Sequence, residues 1–195
     1  MKKYYRMTKK APNVLTLSQS ERLTLNLITK LDLEEVRELH NNPLVLSQLT
    51  DIREVSDIDQ VNWYKSISYS KTSFRIVARL KPSNQLIGVF RIDKFDTINL
   101  TAQVGLDVHP NYHRRGFARE IYCNVLTVLF SDWNLHRVYL ETLSSNVAAR
   151  SLYDALGFKV EGFGREAILR IGNRVDLVYY GLLGSEWKLA NERLD

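Results

Sequence analysis

The sequence predicts a single α/β domain in which a mixed β-sheet is layered against helices. Three observations carry this. Several segments alternate apolar and polar residues with the period of a strand, RLTLNLIT at 22–29 most clearly. Other segments repeat their apolar residues at three and four, the spacing of a helix with one buried face. The two kinds interleave as strand, two helices, three strands, helix, strand, helix and two strands, the order of a sheet packed against helices.

The first strand is expected over Arg22–Thr29. Leu31–His40 carries acidic residues early and apolar Leu33, Val36 and Leu39, so a helix follows, and Asn41-Asn42-Pro43 interrupts it. Ser56 to Asp59 reads as a capping box opening a second helix with Ile58, Val61, Trp63, Tyr64 and Ile67. Ser73–Leu80 and Leu86–Asp93 are strands joined by the turn Lys81-Pro82-Ser83-Asn84. Ile98–Val108 is the central strand, and Pro110 ends it. The next helix has a buried face of Ala118, Ile121, Tyr122, Val125 and Leu129. His136–Leu143 is a strand, and Ser145-Asn146 caps a helix that stops at Gly157. Phe158–Arg170 and Val175–Leu183 close the fold as a hairpin about Ile171-Gly172-Asn173.

The loop between the central strand and its helix reads HPNYHRRGFA. A helix start exposes unpaired amide hydrogens at the positive end of the helix dipole. Gly116 lets the backbone approach a ligand closely, and Arg114 and Arg115 add charge. Together they suit a phosphate or pyrophosphate. Taken alone, the loop is equally an ordinary strand-to-helix turn with two solvated arginines.

Residues 113–118, His-Arg-Arg-Gly-Phe-Ala, resemble the acetyl-CoA loop Gln/Arg-x-x-Gly-x-Gly/Ala of the GNAT superfamily of acyl-CoA-dependent N-acetyltransferases. The later stretches NLHRVYL, SSNVAARSLYDALGFKVEG and REAILRIGNRVDLVYYGLL look like the branch holding ribosomal-protein N-terminal, spermidine and some amino-sugar acetyltransferases. The resemblance runs from Glu21 to Trp187. It departs at His113, where Gln or Arg is usual. It implies a GNAT-like sheet, mixed but mostly antiparallel, with flanking helices and a splayed fourth and fifth strand that receive pantetheine.

The resemblance also implies roles. Leu106, Asp107 and Val108 would pair with pantetheine, and the Val108 amide would polarise the thioester carbonyl. His113, Arg114, Arg115, Gly116, Phe117 and Ala118 would cradle the pyrophosphate of acetyl-CoA. Asn146 would be an N-cap or a pantetheine contact. Tyr153 would protonate the leaving thiolate as general acid, against the plainer reading of a core tyrosine. Glu141 and His109 are candidate bases by position, and a water chain is an alternative. Asp51, Glu54, Asp57 and Asp59 stand near Trp63 and Tyr64; they could hold a cationic acceptor or simply form a solvated helix start. The expected reaction is acetyl transfer to a primary amine, a polyamine first. A protein N-terminus or a nucleotide-linked amino sugar is the alternative, and a CoA-binding module without turnover is a further one.

Composition frames these expectations. An apolar fraction of 45% and a charged fraction of 25% are those of a globular domain, and a formal net charge of +5 draws on a basic start at Lys2, Lys3, Arg6, Lys9 and Lys10. One cysteine, Cys123, excludes an internal disulfide framework and fits a cytoplasmic setting. The four histidines show no ligand spacing, so no metal is expected. Neither a nucleic-acid nor a membrane partner is expected, and a homodimer is possible. The expected divisions are an extension at 1–20, the domain at 21–187 and a tail at 188–195.

Overall fold

A computed structural model describes residues 20–170 and 172–191, so most of the expected extension lies outside the described residues. Strands β1 (Leu23–Leu27), β2 (Phe74–Leu80), β3 (Leu86–Asp96), β4 (Thr101–Val108), β5 (Arg137–Leu143), β6 (Lys159–Arg170) and β7 (Asn173–Leu183) form one sheet in the order β1-β2-β3-β4-β5-β7-β6. The β4–β5 pair is parallel and the others are antiparallel. Helices α1 (Leu33–Asn41), α2 (Pro43–Leu46), α3 (Asp57–Ser68), α4 (Phe117–Thr127), α5 (Val147–Ala155) and α6 (Gly184–Asn191) complete the chain. The last of these crosses the expected boundary at 187.

Alternation along the strands divides the core in two. Ile76, Phe90, Ile92 and Val104 point to the α4 and α5 side, where they pack with Ile121, Tyr122, Val125, Leu129 and Tyr153. Val77 and Val89 face the other way and meet Val36, Leu39 and Val45 of α1 and α2.

The parallel pair decides where the site falls. β4 and β5 are in register only at Thr101–Arg137, Ala102–Val138 and Gln103–Tyr139. Beyond these, β4 stays on β3 as far as Val108 and β5 stays on β7 as far as Leu143. The strands therefore splay apart, and a wedge opens between Val104–Val108 and Leu140–Leu143.

Several local expectations are corrected. The central strand begins at Thr101, because the Asp96 carboxylate accepts from the Ile98 and Asn99 amides and turns the chain, leaving Ile98 exposed. The capping box at Ser56 forms, but Ile58 and Val61 face solvent. The buried residue of α3 is Gln60, whose amide donates to the Leu33 carbonyl of α1. Asn42 caps the short α2 with its side chain, so Pro43 starts a helix as well as ending one. Ala118 is only half-buried and Phe117 takes the core position. The end of α4 widens into a π turn at Val128–Asp132, which still buries Leu129.

Candidate active site

The wedge is the floor of a cleft of about 590 Å³, lined by Gln103–Val108 of β4, Glu141 and Thr142 of β5, the loop before α4, and Asn146 and Tyr153 of α5. Gly116 has φ 81°, a left-handed conformation that favours glycine, and it is the N-cap residue of α4. A glycine has no side chain to offer the amides of the first turn, and α4 has no side-chain cap. A Cβ built at Gly116 would project at ordinary contact distance toward Arg22. The amides of the first turn are thus left uncovered, and Arg22 stands on the side where a Cβ would project. Arg22 lies 4.3 Å from the Phe117 ring, donates to the Arg115 carbonyl and pairs with Glu120 at 2.5 Å. Burial pushes the Glu120 carboxyl up, but hydrogen bonds from Ser20 and Arg22 outweigh it and hold it below the usual carboxylate range.

The edge of β4 supplies the middle of the cleft. The His109 amide donates to the Ile87 carbonyl of β3. Strand amides alternate in direction, so the N–H groups of Val108 and Leu106 turn away from β3 and toward the wedge. The Val108 carbonyl is taken by the His113 ring at 2.9 Å. Unpaired main-chain groups along a strand are what an extended amide-bearing arm such as pantetheine can bond.

Tyr153 stands across the cleft. Its ring packs edge-on against Tyr122 and Tyr180, with centroids 5.8 and 5.5 Å away, and is 7% exposed. Burial pushes its phenol above the ordinary value, so it keeps its proton at neutral pH. The core and catalytic readings of Tyr153 are compatible, since the packing fixes the ring that lines the cleft. Asn146 likewise caps α5 by accepting from the Ala149 amide at 3.1 Å and lines the cleft.

The sequence-expected residues divide. Leu106, Asp107, Val108, His113, Arg114, Gly116, Phe117, Ala118, Glu141, Asn146 and Tyr153 come together around the cleft. Arg115 does not line it; its guanidinium lies 5.7 Å from the Tyr112 ring. The Nδ1 of His109 caps the following turn by accepting from the Asn111 amide. Asp51, Glu54 and Tyr64 line neither this cleft nor the smaller cavity beside it. Asp51 is engaged by Arg53, whose hydrogen bonds take its carboxyl down to about 2. Asp57 lies 2.7 Å from Arg37, and Asp59 closes the capping box on Ser56. Trp63 does line the smaller cavity, of about 260 Å³, which lies under α1 and α3.

Sequence reasoning missed Arg119, which lines the large cleft at the first turn of α4, and Arg91, which lines both cavities with Asp107. The signal for Arg91 was its place on the alternating β3, facing away from the large core, but a lone arginine there reads as an ordinary surface residue. The Cys123 thiol does not line the cleft, and burial pushes it up. Among the described residues no group of His, Cys, Asp and Glu could hold a metal ion, and no helix is long and apolar enough to cross a membrane.

The family model described as an acetyltransferase (GNAT) domain matches residues 22–159. The spermidine N(1)-acetyltransferase of Vibrio cholerae is 26% identical over 173 residues, covering 89% of this chain and 99% of that protein. An N-acetyltransferase of Bacillus licheniformis, p20, is 25% identical, covering 86% of this chain and 96% of its own. The solved structure of a Vibrio cholerae spermidine N-acetyltransferase with CoA and spermine superposes with a TM-score of 0.80 at 26% identity. It covers 86% of this chain and 98% of that one.

Proposed function

Because the chain belongs to the GNAT acetyltransferase family and is an acetyl-CoA-dependent N-acetyltransferase, we propose that its acceptor is the primary amine of a small molecule, acetylated directly in a ternary complex. The observation that carries this reading is the opposition, across one cleft, of the free strand edge at Leu106–Val108 and the buried phenol of Tyr153. The loop at 113–118 and Arg119 would hold the pyrophosphate. The Val108 amide would donate to the thioester carbonyl oxygen and so stabilise the charge that develops there. The amine nitrogen attacks that carbonyl carbon, an N–C bond forms and the C–S bond breaks. Tyr153 gives its proton to the departing thiolate. An alkylammonium, with a pKa of about 10.4, must lose one proton before attack, and the nitrogen loses a second as the amide forms. One of these two protons restores the Tyr153 phenol, and the other leaves to solvent by the proposed route, Glu141, exposed on the β5 wall of the cleft.

Among small amines, a polyamine is supported by the likeness to the Vibrio cholerae enzyme. The acidic residues at 51–59 add little to it, because Asp51 and Asp57 are already ion-paired. A different acceptor is favoured by the Arg91–Asp107 pair, argued below. Free thiol released from acetyl-CoA, measured over polyamines, amino acids, peptides and amino sugars, tests the proposal. Turnover of small amines above the acceptor-free rate is the expected result. Acetylation of peptide N-termini alone would overturn it.

A further inference from the structure

Two guanidiniums lie side by side under α3, and they are treated differently. Arg75 and Arg91 are direct cross-strand partners on β2 and β3. Arg75 is committed: its Nη1 donates to Asp93 at 2.9 Å and to the carbonyls of Phe74 and Ile92, and the Trp63 ring lies 5.7 Å away. Arg91 makes no hydrogen bond among the described residues. Its nearest partner is the Asp107 carboxylate at 3.5 Å, too far for a good hydrogen bond, and the Asp107 side chain accepts none either. The Arg91 side chain is 38% exposed and that of Asp107 13%, so both charges stand at a cavity wall rather than sealed in the core.

Position makes this pair more than a loose surface contact. Arg91 and Asp107 line both the large cleft and the smaller cavity, so they stand where the two meet. Gly105, opposite Arg91 on β4, leaves the notch in which the guanidinium sits; a Cβ there would come within 2.7 Å of Nη2. Asp107 directly precedes Val108, whose amide faces the wedge.

We propose that Arg91 and Asp107 are a seat for an acceptor that carries its own charge pair, an amine and a carboxylate on one carbon, so that the preferred acceptor is a free α-amino acid. This rests on the small-amine reading and narrows it. The Arg91 fork takes the carboxylate with two N–H donors, and Asp107 takes the ammonium. Close spacing of the two protein charges matches close spacing of the two ligand charges. The distal ammonium of a polyamine laid along the same path would meet Arg91 and be repelled.

The experiment compares kcat/KM for L-amino acids with apolar, acidic and basic side chains, their amides, 3-methylbutylamine, 1,4-diaminobutane and spermidine, at saturating acetyl-CoA. At least one amino acid should exceed its own amide and both polyamines tenfold or more. Arg91→Met should erase that preference while leaving the CoA Kd unchanged. Gly105→Ala, which displaces only the end of a flexible side chain, should reduce the preference with the charge still present. Polyamines or amides preferred by the wild-type chain, or a preference kept in both variants, would overturn the inference alone. A wild-type chain that binds CoA yet acetylates none of these amines would overturn the small-amine reading itself.

Discussion

At one end of the cleft the Gly116 loop offers the uncapped main-chain amides of a helix start, the proposed anion cradle; at the other, Arg91 and Asp107 present side-chain charges. The first end is built from consecutive residues, and its geometry follows from two left-handed positions, Arg114 and Gly116, just before a helix start. The second is assembled across two strands by the β3–β4 register, and each member is a side chain that a single substitution replaces. Cofactor recognition made of backbone tolerates change in side chains. Acceptor recognition through Arg91 and Asp107, as proposed, would let this chain differ from its relatives without disturbing acetyl-CoA.

The contrast is broken most severely where the two ends meet. Tyr153→Phe keeps the ring packed on Tyr122 and Tyr180 and deletes the proton donor. kcat should fall roughly 10²-fold, with little change in the KM for acetyl-CoA. A kcat within about twofold of wild type, in steady-state rates limited by chemistry, would leave Tyr153 as core alone.

Gly116→Val attacks the backbone end. A β-branched residue at φ 81° is strained, by about 1–3 kcal/mol, and the strain falls on the loop that must meet the pyrophosphate. Calorimetry should show CoA affinity weakened by about tenfold, with the acceptor profile unchanged. Equal affinity in a folded variant would remove the cradle from the first half of the comparison.

A smaller effect separates the support of the two ends by pH. Glu120 braces the loop through Arg22, and Asp32 ties α1 to the sheet through Arg79 at 2.8 Å. In Asp32, burial raises the carboxyl and hydrogen bonds from Arg79 and Thr29 outweigh it, so both carboxylates sit below their unfolded values. A lowered folded value means stability is full above about pH 4 and is lost as pH falls through the folded value. Asp32→Asn should cost about 2 kcal/mol at pH 7 in denaturant unfolding, and less of that difference should remain at pH 3. A constant difference across that range would mean the charge is not what matters.

The least effect is expected from Asp51→Asn combined with Glu54→Gln. Both residues are exposed, Asp51 closes on Arg53, and neither lines a cavity. Tm and the order of preference among acceptors should stay as they are. A shift in that order would move acceptor recognition out of the cleft and onto the segment before α3.

The same division explains what could be read from the sequence. The loop at 113–118, the caps at Ser56 and Asn146 and the stop at Gly157 are local, and the chemistry of neighbouring residues announces them. Strand order and the splay of β4 from β5 came through the resemblance, because pairing between distant segments leaves no local trace. Asp107 was read for its backbone alone, and Arg91 was passed over; their meeting depends on β3–β4 register. The acidic residues at 51–59 do not stay together in the fold: Asp59 lines the smaller cavity with Trp63, while Asp51 and Glu54 line neither cavity. They are neighbours in sequence, but Arg37 and Arg53 answer two of their charges before any ligand could.

The splay of β4 and β5 carries a hazard that the fold contains. An open strand edge invites another polypeptide to add itself to the sheet, and a sheet split down its middle has two such edges more than an intact one. Here both face each other inside the molecule, between α4, α5 and the segment at 44–50. A slender arm with hydrogen-bonding groups and no side chains can enter. An intruding peptide, with substituents on both faces, has to displace helices to do the same. The opening that admits the cosubstrate is in this way also a sieve against self-association.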